Sequence, residues 1–235
     1  MPDIPPMLAN VLEPRFARTA TVARVDTLDA RLKRVRFEGV PLRGLKVRAG
    51  QEIEFRVGPS AFRHYTPMRY EPTTGQMDVL FFLHGGGPGS AWADALRPGQ
   101  SVNVLGPGGR FGLKEARAHV FLGDETTVGL FHAMTRATDE RVFGALELDT
   151  RALADAAEPL LDPAIERLVR WGGRGAALEE WLDTVNPTPR GLPTCFYLAG
   201  HAQTITRLRT SLKRRGWPRA AIRTKPYWSN TKRGL

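Results

Sequence analysis

The sequence predicts two domains of different class: a six-stranded antiparallel β-barrel at residues 14–115, followed by a mainly parallel three-layer α/β domain at residues 116–235. Two observations lead to this prediction. Up to about residue 110, short stretches rich in apolar and β-branched residues are separated by turn signals such as Ala49-Gly50 and Pro98-Gly99. Beyond residue 118, strand-like apolar stretches alternate with segments of helical periodicity, which is the pattern of a parallel sheet.

The strands of the first domain follow one another at regular spacing. The clearest is Gln51–Val57, where Ile53, Phe55 and Val57 alternate with charged residues, as in a strand with one buried face. A helix, Ser90–Leu96, is predicted between the last two strands. The six predicted strands are Phe16–Val25, Arg31–Glu38, Gln51–Val57, Phe62–Tyr70, Met77–His84 and Ser101–Leu105.

The second domain alternates strands and helices from its first residues onward, and its boundary with the first is expected near residues 112–117. Its predicted strands are Ala118–Leu122, Arg141–Leu148, Ile165–Trp171, Cys195–Ala199 and Ala221–Trp228. Its predicted helices are Glu125–Ala137, Ala152–Ala157, Ala176–Thr184 and Ala202–Arg215. Trp171, Trp181 and Trp217 are expected to be packing residues rather than stacking platforms.

Composition excludes several classes of protein. An apolar content of 42% with 25% charged residues is typical of a globular chain, and no apolar run approaches the length of a membrane span. The first residues lack the pattern of a secretory signal. A single cysteine, Cys195, rules out an intramolecular disulfide and a multi-cysteine metal site. We therefore expect a soluble, cytoplasmic protein without a built-in metal, and a monomer by default.

The net charge of +10 is concentrated at the C-terminus. Residues 207–235 contain ten basic residues and no acid, whereas residues 138–183 contain eleven acids and five arginines. A partner that is recognised by charge must therefore meet the C-terminal segment.

Residues 63–66 have the side chains that a flavin site needs. A flavin dinucleotide requires a cation for its pyrophosphate, an aromatic face for its ring system and a small donor near N5. Arg63, Tyr65 and Thr66 supply these groups, and on a strand Arg63 and Tyr65 point to the same side. Spacing alone, however, favours an ordinary edge strand with Arg63 and Tyr65 half exposed.

A glycine-rich segment, His84 to Trp92, leads into the predicted helix. Glycines permit a close approach of the backbone, and a helix N-terminus offers free N–H groups to an anion. Ser90 is either the N-cap of this helix or a hydroxyl donor to a phosphate. A flexible connection capped by Ser90 is the structural alternative. Two phosphate-suited segments about twenty residues apart are stronger evidence for a site than either segment alone.

Together these motifs resemble the siderophore-interacting proteins, a family of FAD-containing ferric-siderophore reductases. The family's barrel motif is matched by Arg63, Tyr65 and Thr66, and its histidine- and glycine-rich loop by residues 84–92. In the second domain, Leu122-Gly123-Asp124-Glu125-Thr126 and Tyr227-Trp228 resemble further family motifs. The resemblance extends over roughly residues 17–230.

The resemblance implies a role for each matched residue. Arg63 would contact the FAD pyrophosphate, whereas Tyr65 would pack on the isoalloxazine and Thr66 would bond its N5 edge. These last two are therefore the candidate catalytic residues. The other implied contacts with the flavin or the nicotinamide nucleotide are Met68, His84, Gly87, Gly89, Ser90, Trp92, Asp124, Glu125 and Thr126. Met68 stands where the family usually has a second arginine, and His201 where it usually has a glutamate.

The implied reaction takes electrons from NADH, NADPH or a ferredoxin through FAD to the Fe(III) of a siderophore. A flavin suits this reaction because it accepts two electrons and releases them singly. A basic rim would attract an anionic chelate. Its candidate residues are Arg48, Arg56, Arg223, Lys225, Lys232 and Arg233. Glu54, if it faces the chelate, would favour a hydroxamate or mixed-ligand siderophore over a triply charged catecholate.

Two other classes of function remain open at this stage. One is a general NAD(P)H:flavin or quinone reductase on the same scaffold. The other is a module that binds nucleic acid or an anionic membrane surface through its basic C-terminus. We rank the binding module well below the reductases, because the sequence contains no recognition helix or RNA-binding motif. Contact with a membrane surface could nevertheless coexist with reductase activity.

Overall fold

The structure is a computed structural model that describes residues 16–184 and 191–230. The chain divides into two compact units, Met1–Gly112 and Leu113–Leu235, which are described one at a time. The domain limits predicted from the sequence, 14–115 and 116–235, stay predictions. None of the helices in the described ranges is long and apolar enough to cross a membrane.

The N-terminal unit is built around one seven-stranded antiparallel sheet, with strand order β4-β3-β7-β1-β2-β6-β5. One helix, α1 (Pro88–Ala95), lies between the last two strands. The strands are β1 (Arg18–Asp29), β2 (Leu32–Glu38), β3 (Glu52–Arg56), β4 (Phe62–Tyr65), β5 (Pro67–Glu71), β6 (Gln76–Phe82) and β7 (Ser101–Gly108).

The predicted antiparallel class is confirmed, but the predicted count of six strands is wrong. The stretch predicted as one strand, Phe62–Tyr70, is two strands, and they lie at opposite edges of the sheet. Only Thr66 separates β4 from β5, and successive Cα atoms are about 3.8 Å apart, so the two edges must approach each other there. In the described part of the chain, β4 and β5 do not pair, and the barrel stays open along this seam.

A cluster of aromatic side chains occupies the interior of this unit. Phe55 lies 5.0 Å from Phe37 and 4.8 Å from Trp92, measured between ring centroids. The alternation in β3 explains the arrangement, because Ile53 and Phe55 are buried while Glu52, Glu54 and Arg56 are partly exposed.

The C-terminal unit is a five-stranded sheet with order β10-β9-β8-β11-β12, in which every described pair of neighbours is parallel. Its strands are β8 (Ala118–Asp124), β9 (Arg141–Leu148), β10 (Ile165–Val169), β11 (Thr194–His201) and β12 (Ile222–Trp228). Its helices are α2 (Val128–Thr135), α3 (Arg151–Ala157), α4 (Ala176–Thr184) and α5 (Ala202–Arg214).

This sheet is doubly wound, as the predicted alternation of strands and helices requires. The α4 and α5 helices cover one face, where Leu178 and Leu208 join the apolar cluster around Leu122. On the other face Phe121 packs against Phe131 of α2, at 5.1 Å between ring centroids. The strand order reverses between β8 and β11, and ligands of such sheets bind outside the carboxyl ends of the strands at this point.

The first helix of this unit starts later than the sequence predicts. Residues Glu125–Thr127 form a 3₁₀ turn, and the α-helix begins only at Val128. The Asp124 side chain accepts from the Thr126 N–H, and the Thr127 hydroxyl donates to the Asp124 carbonyl. These local bonds satisfy backbone groups that an α-helical turn would otherwise use, so they favour the tighter turn.

Candidate functional site

The Arg63–Tyr65 segment lies on the edge strand β4, directly before the seam. Arg63 is opposite Phe55 and Tyr65 is opposite Ile53, so both point to the same side of the sheet, as predicted. The Tyr65 ring packs edge-on against Phe81, at 4.6 Å between centroids. Burial raises the pKa of Tyr65 to about 12, against the opposing effect of Arg63, so this residue is a neutral phenol at physiological pH.

The glycine-rich segment turns sharply before α1. Gly85 and Gly86 have φ values of +76° and +65°, which glycine adopts without strain. The helix begins at Pro88, and Gly87 is its N-cap with no side-chain hydrogen bond. Ser90 is therefore the third helical residue, so the alternative that it is the N-cap is wrong. Because Pro88 has no N–H, the first free backbone donors of this helix are those of Gly89 and Ser90.

Helix α1 brings the two predicted motifs together. A Cβ atom on Gly89 would lie 2.6 Å from the Tyr65 hydroxyl oxygen and 3.4 Å from Cγ of Arg63, so only glycine permits this approach. Next to it, the Ser90 hydroxyl is buried and has no hydrogen-bond partner among the described residues. A free helix N-terminus, an unsatisfied hydroxyl and a guanidinium on adjacent elements are suited to a pyrophosphate, and so fit FAD.

The other flavin contacts that the sequence predicts have varied surroundings. His84 is exposed, and its Cε1 atom lies 3.3 Å from the position of a Cβ on Gly87. Trp92 is half-buried against the aromatic core, whereas Thr66 and Met68 are buried at the seam. Met68 is skipped in the pairing of β5 with β6, at a bulge. Their contacts with FAD stay predictions.

The second set of predicted residues lies at the carboxyl edge of the parallel sheet. Asp124 ends β8, and its buried carboxylate accepts bonds from the N–H of Thr126, the N–H of His201 and the indole N–H of Trp228, at 2.9, 2.8 and 3.1 Å. A Cβ on Gly200 would lie 2.5 Å from this carboxylate. Asp124 thus ties together the ends of β8, β11 and β12, and its predicted contact with nicotinamide stays a prediction.

The charge of Asp124 is disfavoured despite these bonds. Burial, and then the neighbouring Glu125, raise its pKa to about 6, while the bonds from Thr126 and His201 oppose the shift. The Thr126 hydroxyl also donates to this carboxylate, so Thr126 is half-buried and already engaged.

An ion-pair network that the sequence analysis missed surrounds Arg170, directly after β10. Its guanidinium donates to both oxygens of Glu125 at 3.0 Å, to Glu147 at 3.4 Å and to Asp149. Glu125 also accepts from Arg174 at 3.1 Å. Position along the chain could have revealed the network, because Glu125, Glu147 and Arg170 all lie within three residues of the carboxyl end of a predicted strand.

His201 and Trp228 complete this edge of the sheet. The two rings lie 4.4 Å apart, and the Arg174 guanidinium lies 4.6 Å from the centre of the Trp228 ring. The His201 ring bonds with the Thr204 hydroxyl at 2.9 Å and with the Asn230 side chain at 3.2 Å. Burial lowers the pKa of His201, which keeps the ring neutral.

The predicted siderophore-binding residues that the structure describes are divided between the two units. Arg48 is exposed, and the Arg56 guanidinium donates to the carbonyls of Gly58 and Pro59. Arg223 and Lys225 lie half-buried on the edge strand β12. Lys232 and Arg233 lie outside the described residues. Their contact with a siderophore stays a prediction.

Glu54 lies on the face of β3 opposite to Ile53 and Phe55. Its Oε1 atom is 3.4 Å from Nε2 of His64, its cross-strand neighbour. The effect expected of Glu54 on the choice of siderophore stays a prediction.

An antiparallel sheet followed by a doubly wound parallel sheet is the fold of the ferredoxin-reductase-like proteins. The fold comparison agrees, because phthalate dioxygenase reductase matches 97% of this chain and 72% of its own, with a TM-score of 0.74 at 14% identity. The chain belongs, within this class, to the siderophore-interacting protein family. The model of the siderophore-interacting FAD-binding domain matches residues 56–111, and that of the siderophore-interacting protein matches residues 116–231.

Similar proteins agree with this assignment. The ferric vibriobactin reductase ViuB of Vibrio cholerae is 26% identical over 195 residues, which cover 80% of this chain and 72% of that protein. The NADPH-dependent ferric-chelate reductase of Escherichia coli is 29% identical over 53% of this chain and 57% of its own.

Among solved structures, a siderophore utilization protein from T. fusca has a TM-score of 0.79 at 24% identity. The match covers 93% of this chain and 95% of that one. At this identity the likeness concerns the fold alone.

Proposed function

We propose that this protein is an FAD-dependent reductase that transfers electrons from NAD(P)H to the Fe(III) of a siderophore. The observation that supports the flavin chemistry most directly is the buried, unpartnered Ser90 hydroxyl at the start of α1, one residue after Gly89, which lies against Tyr65 and Arg63. The substrate class is supported by the family, and by relatives named as a ferric vibriobactin reductase and a ferric-chelate reductase.

The residues of the N-terminal unit hold and orient the flavin in this proposal. Arg63 and the free N–H groups of Gly89 and Ser90 would bind the pyrophosphate, and the Ser90 hydroxyl would donate to it. Tyr65 stays neutral and is fixed by Phe55 and Phe81, so it keeps one orientation. Bound FAD supplies the conversion between a two-electron donor and a one-electron acceptor.

The reaction balances without a general acid or base from the protein. One NAD(P)H gives two electrons, two ferric ions take one electron each, and one proton is released to solvent. Fe(II) binds hard oxygen donors more weakly than Fe(III) does, so the siderophore then releases the iron. Basic side chains such as Arg48, Arg56, Arg223 and Lys225 would raise the encounter rate of an anionic chelate.

An anaerobic assay tests this function. FAD-loaded protein receives NADH or NADPH and a ferric siderophore in the presence of an Fe(II)-specific dye, with free FAD and a quinone as competing acceptors. We expect two Fe(II) per oxidised nucleotide and a preference for the chelate. Equal turnover of free flavin or quinone would identify a general reductase. A protein that takes up no FAD would overturn the proposal.

Arg63→Ala tests the assigned pyrophosphate contact. Loss of a charge-assisted bond costs about 1.5–3 kcal/mol, so the dissociation constant of FAD should rise about tenfold or more. Arg24→Ala, which removes an exposed arginine of β1, is the matched control. Equal FAD retention in both variants would refute the contact.

The proposal also concerns the electron donor, the oligomeric state and the cellular compartment. We propose NAD(P)H as the donor, a monomer as the active species, and the cytoplasm, where NAD(P)H is available, as the place of action. Replacing NAD(P)H by a reduced ferredoxin in the same assay tests the donor. Size-exclusion chromatography with light scattering tests the monomer.

A further inference from the structure

Trp171 is the one exposed aromatic side chain among the described residues of the C-terminal unit, with 56% of its surface accessible. Trp181 is buried, and Trp217 packs 4.7 Å from Phe196. The expectation that Trp171 is a packing residue is therefore wrong. A single exposed apolar residue is ordinary in itself, so its meaning depends on its position.

The position of Trp171 is at the ligand-binding edge of the sheet. Strand β10 ends at Val169, and Trp171 follows two residues later, beyond the carboxyl end. In doubly wound sheets a dinucleotide lies across the point where the strand order reverses, with one nucleoside on each half of the sheet. Trp171 belongs to the half formed by β10, β9 and β8, whereas Trp228 belongs to the half formed by β11 and β12.

The backbone around Trp171 is fixed although its indole is exposed. Arg170 on one side is held by three carboxylates, and its side chain is 12% exposed. On the other side, Gly172 turns the chain with φ +63°, and the Gly175 N–H donates to Glu147 at 2.8 Å. An aromatic ring on a fixed backbone can stack on a ligand with little loss of conformational entropy.

We propose that Trp171 is the platform on which the adenine ring of the nicotinamide dinucleotide stacks. This inference rests on the proposed use of NAD(P)H and names the part of the nucleotide that the β10 half of the sheet recognises. Adenine suits the position because it is a flat, uncharged base, and stacking on an indole requires no ionic group. The carboxylates near Trp171 are paired with Arg170 and Arg174, so they present no free charge to the base.

Three variants in the FAD-loaded full chain test the platform. Trp171→Ala removes the ring, Trp171→Phe keeps a smaller one, and Val169→Ala trims a neighbouring exposed residue as control. We would measure the dissociation constants of 5′-AMP and nicotinamide mononucleotide by calorimetry, and the KM values of NADH, NADPH and the ferric chelate. These probes separate the two halves of the nucleotide.

Loss of base stacking should raise the dissociation constant of 5′-AMP about 5- to 100-fold in Trp171→Ala. We expect a smaller rise in Trp171→Phe, and unchanged values for nicotinamide mononucleotide and for Val169→Ala. The proposal is overturned if wild-type protein binds no 5′-AMP, or if Trp171→Ala binds it as wild type does. It is also overturned if the KM of the ferric chelate rises instead.

The platform and the proposed function can fail separately. If wild type oxidises NAD(P)H and Trp171→Ala has the same nucleotide constants, the platform is wrong and the function stands. If wild type binds 5′-AMP through Trp171 but reduces no ferric chelate, the platform stands and the function is wrong.

Discussion

At the scale of single residues, we expect the Ser90 hydroxyl to destabilise the protein without FAD and to stabilise its complex with FAD. A buried hydroxyl without a partner costs stability, because it has lost its bonds to water. A phosphate oxygen would give that hydroxyl an acceptor. The residue is therefore unfavourable for the fold alone and favourable once FAD is bound.

Ser90→Ala should accordingly move two measurements in opposite directions. The free energy of unfolding of the apoprotein should rise by about 1 kcal/mol, while the dissociation constant of FAD should increase about fivefold or more. Urea denaturation and flavin titration measure the two quantities. Ser211→Ala is the control, because that buried hydroxyl accepts a bond from Arg215 and its loss should only destabilise. A less stable Ser90→Ala apoprotein would contradict the assignment.

The burial of Asp124 predicts how the free energy of unfolding depends on pH. Its pKa of about 6 in the folded protein exceeds its usual value of 3.8, so the folded state binds the proton more tightly than the unfolded state. Between about pH 4 and 6, the contribution of this group to the free energy of unfolding must fall as the pH rises.

Asp124→Asn should remove that contribution. Asparagine has one acceptor oxygen, so it cannot serve the donors of Thr126, His201 and Trp228 together, and the variant should be less stable at pH 7. Its stability should fall less steeply than that of wild type between pH 4 and 6. Chemical denaturation at closely spaced pH values measures both effects, and identical slopes would contradict the assignment.

Sequence reasoning singled out the candidate flavin residues because they lie close together along the chain. Arg63, Tyr65 and Ser90 lie in short motifs with chemically distinctive side chains. The network around Arg170 joins residues 45 positions apart, such as Glu125 and Arg170, and no local pattern indicates which carboxylate an arginine will meet. The exposure of Trp171 was also missed, since composition does not show where a strand ends.

At the scale of elements, the start of α4 depends on a carboxylate from another strand. Glu147 of β9 accepts from the N–H groups of Gly175 and Ala177, at 2.8 and 3.2 Å. It thus satisfies two of the free donors at this helix N-terminus, as a capping side chain would. The same carboxylate also accepts from Arg170, so one residue positions both the helix and the ion-pair network.

Glu147→Gln should therefore destabilise the C-terminal unit by about 1–3 kcal/mol, since a buried acceptor and a charge are lost together. Glu140→Gln is the matched control, because Glu140 makes an exposed pair with Arg117 and should contribute little. Thermal unfolding measures both variants. Equal midpoints of thermal unfolding in Glu147→Gln and Glu140→Gln would show that α4 does not need this cap.

Most element boundaries were predictable from the apolar pattern, because most elements bury one face and the central strands β8 and β11 are buried throughout. The exceptions are local. The predicted fourth strand breaks at Thr66 because its two halves pair with different partners, β3 and β6, which only the topology reveals. The predicted helix at Glu125 begins instead as a 3₁₀ turn, because the Asp124 and Thr127 side chains bond to the local backbone.

At the scale of the whole molecule, the basic C-terminal segment meets the acidic middle segment within the C-terminal unit. Arg207 and Arg215 pair with Glu179 and Asp183 of α4. Part of the positive charge of residues 207–235 is therefore neutralised by acids of α4. This pairing makes it less favourable for the segment as a whole to bind nucleic acid.

Cofactor binding should stabilise the two units unequally. A ligand that binds only the folded state adds RT ln(1 + [L]/Kd) to its stability, which is about 2.7 kcal/mol at one hundred times Kd. With saturating FAD, we expect amide hydrogen exchange to slow most in β4, β5 and α1. Uniform slowing throughout the chain, or none in α1, would contradict the assigned site. Peptide-resolved exchange with and without FAD makes the measurement.

The seam at Thr66 has a consequence for how the protein is made. The flavin motif occupies only a few residues, but β4 is held by β3, β3 by β7, and β7 by β1, while β5 is held through β6 and β2. Thr66 joins β4 to β5 along the chain, but the sheet that fixes the positions of both strands is complete only when all of these pairings exist. During translation, residues 63–66 leave the ribosome early, yet they cannot form a binding site until Gly108 at the end of β7 has emerged. Nascent chains shorter than this should retain no flavin.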